Sequence, residues 1–341
     1  MSKIVYFLVP LGILVGGISL TNSSTVPEPV AFNPLHQISG HVHSLSNGFS
    51  ETLNFCGEAV PVNDATFTKR LNREIDKHVR AHASTALLIR KSARYKKTFL
   101  EILNKHNIPE DFFYLMIAES SLSNAISPVG ARGFWQMMPA AARQYGLVVN
   151  ETVDERFHPV KSTEAACRYL KSSYKKFGSW TLVAASYNMG VPGLKKRIRE
   201  QGTNDYYQLD LNRETGHYLA RIMAHKCVFE APYQYGVMIQ PQKNYKPLAY
   251  RKVSVNKSID DLSTFAKEHG VTYAALKNHN PWLIHDFLPA SGKVYHLMIP
   301  LDPEARASEL SVAGMIPRPS RTVQDTLQGD SLIQLALGGS L

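Results

Sequence analysis

The chain has 341 residues, 44% of them hydrophobic and 19% charged, enough apolar material to bury a core in one large or two modest domains. Its formal net charge of +10 favours an anionic partner, but no zinc-finger spacing, arginine-rich arm or RNA-binding aromatic motif is present, so nucleic acid ranks low. Three cysteines, Cys56, Cys167 and Cys227, are too few for a disulfide framework and leave either one pair or buried thiols.

The first segment, residues 1–23, has Lys3 ahead of a nonpolar run from Ile4 to Ile18, which reads as an export signal or an N-terminal anchor. The run is shorter than the ~20 residues a membrane-spanning helix wants. No cysteine follows it closely enough for lipid attachment. Residues 24–61 are rich in Pro, Ser, Asn and His and read as a linker. Its His36, His41 and His43 are read as solvated, and no metal site is expected.

From Phe67 the pattern turns helical, with Phe67, Leu71, Ile75 and Val79 at every fourth position. The basic run from Arg90 to Lys97 reads as a solvated helix face rather than a dedicated binding patch. Asn107 breaks the pattern, and the spacing predicts a new helix from Pro109. On it Phe112, Leu115, Met116 and Glu119 fall at i, i+3, i+4 and i+7, one face. A carboxylate at the end of an apolar stripe is desolvated, which raises its pKa and lets it hold a proton near neutrality. Turn residues from Ser127 to Gly133 follow, with two glycines that allow close backbone approach to a ligand. Trp135 offers a stacking face for a sugar and Gln136 an amide. No Asp or Glu occurs between Glu119 and Glu151, so the site holds one carboxylate without a neighbour in sequence.

A looser stretch runs from Gly146 to Pro159. A helix from Thr163 to Phe177 ends at Gly178, placing Cys167 in the core. Trp180, Val183, Ala184 and Tyr187 form the next stripe, and Glu214 opens a further helical segment as a helix-start acid or hydrogen-bond acceptor. Residues 240–247 read as a second linker. Between 248 and 301 the pattern is strand, helix, helix, strand, and residues 302–341 show no sustained period and read as a disordered tail.

The ordered set Glu119-Ser120, Ser127-Pro128-x-Gly130-Ala131-x-Gly133, Trp135-Gln136-Met137-Met138-Pro139 and Ala185-Ser186-Tyr187-Asn188-x-Gly190 resembles the catalytic domain of soluble-type lytic transglycosylases, nearest the membrane-bound D type. The resemblance spans Phe67 to Tyr235 and implies a mainly α, goose-lysozyme-like domain over 62–239. The segment 248–301 is similar to a LysM module, a small α+β (βααβ) glycan-binding fold, although Asn256-Lys257 stands where Gly-Asp is usual. Two further departures, Ser123-Asn124-Ala125 and Met189, bear on cleft width but remove no polar catalytic group.

The resemblance implies cleavage of the β-1,4 bond between N-acetylmuramic acid and N-acetylglucosamine, with Glu119 as single acid and base and a 1,6-anhydro ring as product. It further implies that Ser127 and Gln136 hydrogen-bond the sugar or the carboxyl, and that Met138 walls Glu119 from water. Tyr187 and Tyr218, the latter from Glu214-Thr215-x-x-Tyr218, would hold the ring, Asn188 would support the cleft, and Ser120 would supply a supporting hydrogen bond. Peptidoglycan strands are the implied partner, with no cofactor, no metal and no nucleic acid. The chain is read as an exported monomer of the periplasm or cell envelope, associated with the membrane through its N-terminus if that segment is kept. Two other readings use the same residues: a hydrolytic muramidase or chitinase in which Asp154 or Glu155 folds back to position water, and a wall-binding scaffold without turnover.

Overall fold

The computed structural model describes residues 53–301. The segment read as an export signal or anchor, the histidines His36, His41 and His43, and the segment read as a tail lie outside these residues.

The described chain is mainly helical. A hairpin of β1 (Asn54–Phe55) and β2 (Glu58–Ala59) precedes α1 (Ala65–Arg80), α2 (His82–Lys105), α3 (Phe112–Ser120), α4 (Pro139–Gln144), α5 (Pro159–Phe177), α6 (Trp180–Met189), α7 (Val191–Gln201) and α8 (Arg213–Glu230). A small module follows, built from β3 (Tyr250–Val255), α9 (Leu262–Glu268), α10 (Tyr273–His279) and β4 (Tyr295–Pro300). Its strands pair antiparallel from Tyr250↔Pro300 to Val255↔Tyr295, the strand–helix–helix–strand order expected from sequence.

Local signals set the ends of the first two helices. Asp64 caps α1 by accepting from the Phe67 amide at 2.6 Å, and the apolar row Phe67, Leu71, Ile75 and Val79 is buried as its spacing predicts. The end of α2 is a Schellman turn: Asn107 takes a left-handed φ of 54°, while the Ile108 amide reaches Leu103 O at 2.9 Å and the Asn107 amide reaches Asn104 O at 3.0 Å.

The next helix departs from expectation in two ways. Pro109 to Asp111 form a tight turn, with Phe113 N bonded to Glu110 O at 2.9 Å, and α3 proper begins at Phe112. Its burial also exceeds one face: every side chain from Phe112 to Ile117 is enclosed. A helix apolar all round belongs at the centre of a bundle, and α3 is that centre here, packed on α2 and α8.

Part of the stretch read as a linker up to residue 61 is core. Phe55 is fully buried and meets the Phe112 ring edge-on at 5.5 Å. Glu58 caps α6, accepting from the amides of Trp180 and Thr181 and from Ser179 Oγ, so its negative charge lies at the positive end of that helix. Asp111 cross-links the hairpin to α8 by accepting from Cys56 N at 2.5 Å and Lys226 Nζ at 2.8 Å.

The basic run on α2 does not simply face water. Arg90 Nε donates to Lys243 O at 2.8 Å and Arg94 Nε to Lys246 O at 3.0 Å, and both guanidinium groups lie over the Tyr245 ring. They hold residues 243–246 against the bundle. The three cysteines are free thiols, Cys167 and Cys227 in the core. Among the described residues no helix is long and apolar enough to cross a membrane, and no cluster of metal-ligating side chains occurs.

The segment read as loose, between Gly146 and Pro159, is where the module docks. Val153 bridges Leu283, Asp154 N donates to Trp282 O at 2.9 Å, and Ile284 N donates to Thr152 O at 3.0 Å. Val153 and Phe157 lie within the module's own apolar core beside Leu262, Leu276, Trp282 and Leu297.

Candidate active site

The C-terminus of α3 sets the site. Ser121 and Leu122 take left-handed φ values of 48° and 57° directly after the helix. Two successive non-glycine residues there cost conformational energy, held in place by the surrounding core. This turn ends α3 just past Glu119. Glu119 keeps some solvent contact as a residue, but its carboxyl is enclosed, and burial pushes its pKa up to about 7. The Tyr218 hydroxyl donates to Glu119 Oε1, and this bond, together with the Arg221 charge, opposes the rise, while Glu214 adds to it.

Tyr218 belongs to α8 and is buried. Tyr187, near the end of α6, is held by its own hydroxyl donating to Trp135 O at 2.7 Å. Burial and the Glu119 charge push both phenols well above the usual tyrosine range, so they remain neutral donors. Asn188 joins α6 to α8: its Nδ2 donates to Glu214 Oε1 at 2.9 Å and its Oδ1 accepts from Thr215 Oγ1 at 2.7 Å. Glu214 is thus an exposed acid in the first turn of α8 and a hydrogen-bond acceptor, as its position in sequence suggested.

The loop between α3 and α4 is folded on itself. Ser127 Oγ accepts from Ala131 N at 2.9 Å, and the Ser127 amide donates to Ala131 O at 2.9 Å. Gln136, at a left-handed φ of 45°, spends its amide nitrogen on Ala125 O at 2.9 Å and Gly133 O at 2.8 Å. Met138 precedes α4 and is 44% exposed. Ser120 turns its hydroxyl back to Met116 O at 3.2 Å within α3. Tyr218 thus bonds Glu119 directly, Tyr187 lies within reach of its charge, and Asn188 ties α6 to α8, while Ser127 and Gln136 shape the loop between α3 and α4.

Two readings of the loop change. Trp135 is no stacking platform: it is fully buried, with Nε1 donating to Thr163 Oγ1 at 2.9 Å. Gly133 serves packing rather than ligand approach, since a Cβ there would lie 1.9 Å from Arg156 O, at a φ of 80°. Arg156 is the loop's brace, its Nη1 donating to Gly130 O at 2.8 Å and Met137 O at 3.1 Å.

Asp154 and Glu155 do not reach the cleft. Asp154 is 1% exposed and paired with Arg156 at 2.7 Å and Arg132 at 3.2 Å. Glu155 pairs with Lys161 and accepts from Val148 N at 2.8 Å. The groups that sequence reading left out are Arg156 and Arg221. For Arg221 a signal existed, since Glu214, Tyr218 and Arg221 fall at i, i+4 and i+7 of one helix. For Arg156 there was none, because its partners come from separated loops.

Residues 97–209 match the transglycosylase SLT domain, and residues 251–303 match the soluble lytic transglycosylase C-terminal LysM-like domain. The chain is 27% identical over 278 residues to membrane-bound lytic murein transglycosylase D of Escherichia coli K12, covering 80% of this chain and 59% of that relative's length. Among solved structures, the 70 kDa soluble lytic transglycosylase of Escherichia coli aligns over 52% of this chain and 31% of its own, at 21% identity and a TM-score of 0.37. An inactive mutant of lytic transglycosylase Slt from Pseudomonas aeruginosa aligns over 45% and 26%, at 21% identity and a TM-score of 0.32.

Proposed function

We propose that this chain, which carries a transglycosylase SLT domain followed by a LysM-like module, is a peptidoglycan lytic transglycosylase acting through Glu119. The observation that carries the reading is the Glu119 carboxyl, lifted to about 7 by burial and held by Tyr218, while its acidic neighbour Glu214 is engaged by Asn188. Asp154 and Glu155 are occupied elsewhere, which weighs against the hydrolase.

A group with a pKa near the working pH serves both as acid and as base. Protonated Glu119 gives its proton to the glycosidic oxygen between N-acetylmuramic acid and N-acetylglucosamine as the C1–O bond breaks. Ionised Glu119 then takes the proton of the muramic C6 hydroxyl as O6 bonds to C1. The carboxyl ends as it began, no water is consumed, and the product carries a 1,6-anhydro ring. Tyr218 is placed to donate to the carboxylate in its ionised phase. Tyr187 and Asn188 fix the cleft wall, Ser127 and Gln136 present the loop to the sugar, and Met138 covers the carboxyl once glycan is bound. The LysM-like module holds the strand, and the chain works as an exported monomer of the cell envelope.

Mass spectrometry of digests of purified peptidoglycan tests this. Wild type is expected to release muropeptides one water lighter than hydrolysed ones, and Glu119→Gln none. Reducing-end products from wild type would instead make it a hydrolase.

A further inference from the structure

Helices α1 and α8 pack side by side, and the groove along their outer faces is lined by more Lys and Arg than acids. Two adjoining cavities of about 360 and 410 Å³ lie in it and share Arg73 and His217 as walls. On α1 the lining row is Lys69, Arg73 and Lys77, spaced four residues apart. On α8 it is Arg213, His217 and Arg221, again four apart. One face of each helix thus turns basic side chains, five of the six of them Lys or Arg, into the same concavity. Two acids interrupt it, and both are engaged: Glu74 pairs with Lys77 at 2.6 Å, and Glu214 accepts from Asn188. Among the described residues Arg73, Arg213 and Arg221 form no ion pair. Facing cations repel one another, so such a row is stabilised when an anion enters, and a guanidinium fork suits a carboxylate in particular.

The groove borders the candidate site through two of its walls. Arg221 and Glu214 line it and both act electrostatically on Glu119, and Asn188 ties Glu214 to the end of α6. An anion seated here lies beside the groups that act electrostatically on Glu119. Resting on the proposed function, we infer that the α1–α8 groove binds the carboxylates of the peptide stems carried by the glycan strand. Arg73 and Arg213 are its exposed anchors, and the groove sets preference for peptide-bearing over bare glycan.

The test compares wild type with Arg73→Gln/Arg213→Gln on two substrates, intact peptidoglycan strands and the same strands stripped of peptide by an amidase. Both side chains are exposed, so the bundle should be undisturbed. The double variant should lose about tenfold or more in kcat/KM on intact strands, through KM. It should match wild type on stripped strands, and the gap should shrink as salt is raised. Binding of non-cleavable complexes, measured by calorimetry with Glu119→Gln and with Glu119→Gln/Arg73→Gln/Arg213→Gln, provides an arm independent of turnover. If wild type makes no anhydro product but peptide-dependent binding still requires the two arginines, the proposed activity fails and the groove assignment survives. Equal losses on both substrates, or no loss on either, overturn it. Arginine-dependent binding to phosphatidylglycerol vesicles without any peptide dependence also overturns it, and assigns the groove to the membrane surface.

Discussion

Arg156→Met is the most demanding test of how the module and the loop are joined. Arg156 forms a fork on Asp154, Nε to Oδ1 at 2.8 Å and Nη2 to Oδ2 at 2.7 Å, while Nη1 holds the carbonyls of Gly130 and Met137. The two side chains are only 4% and 2% exposed, and the Asp154 amide is bonded to Trp282 of the module. Removing one partner of a buried pair strands the other charge and costs about 3–5 kcal/mol. Arg132 remains on Asp154 at 3.2 Å but is more exposed, so partial compensation places the expected loss near the lower end, about 3 kcal/mol. In a chain of this size that is a fall in Tm of about 6–12 °C. Thermal and urea unfolding would measure it. Asp154→Leu/Arg156→Met removes both charges and should recover part of the loss. A single variant within about 1 kcal/mol of wild type, or a double variant worse than the single, would refute the claim that this pair carries the junction.

Further outcomes follow from the buried titrating groups. Tyr218→Phe deletes the hydrogen bond that holds the Glu119 pKa down, so the alkaline limb of kcat/KM should move to higher pH; an unmoved limb would separate Tyr218 from the titrating group. Glu119→Gln should stabilise the fold at alkaline pH. The folded carboxyl binds its proton up to about 7 against 4.5 unfolded, so wild-type stability falls as pH rises through that window. The variant should be more stable by up to about 3 kcal/mol above the window, narrowing to nothing below it, as melting curves at several pH values would reveal. His158, buried between Lys161 and Trp282, is held neutral, mainly by desolvation, with its pKa lowered to about 3. The unfolded state then binds more protons below 6.5, so stability falls as pH drops from there towards 3. His158→Asn retains an acceptor for the Lys161 amide and should flatten that acid slope in urea titrations.

What the sequence determined by itself was local. The four-residue spacing of Phe67, Leu71, Ile75 and Val79 fixed the buried face of α1, Gly178 fixed the end of α5, and alternation and stripe length fixed the strand–helix–helix–strand order of the module. Glu119 at the end of an apolar run was legible for the same reason, because helical periodicity places it beside Met116 and Leu115 without any knowledge of the rest. Tertiary structure decided everything that depends on partners far apart in the chain. It buried α3 on every side, put Phe55 of the supposed linker into the core, and turned Glu58 into the cap of α6. It withdrew Trp135 from the cleft and gave Gly133 to the backbone of Arg156. It placed Asp154 and Glu155 in ion pairs that the sequence, showing only two adjacent acids after a turn, could not distinguish from free carboxylates. It also set the cations of α1 and α8 face to face in one groove. Periodicity reports which side of an element is apolar; which other element covers that side, and which charges meet there, is set only when the helices pack.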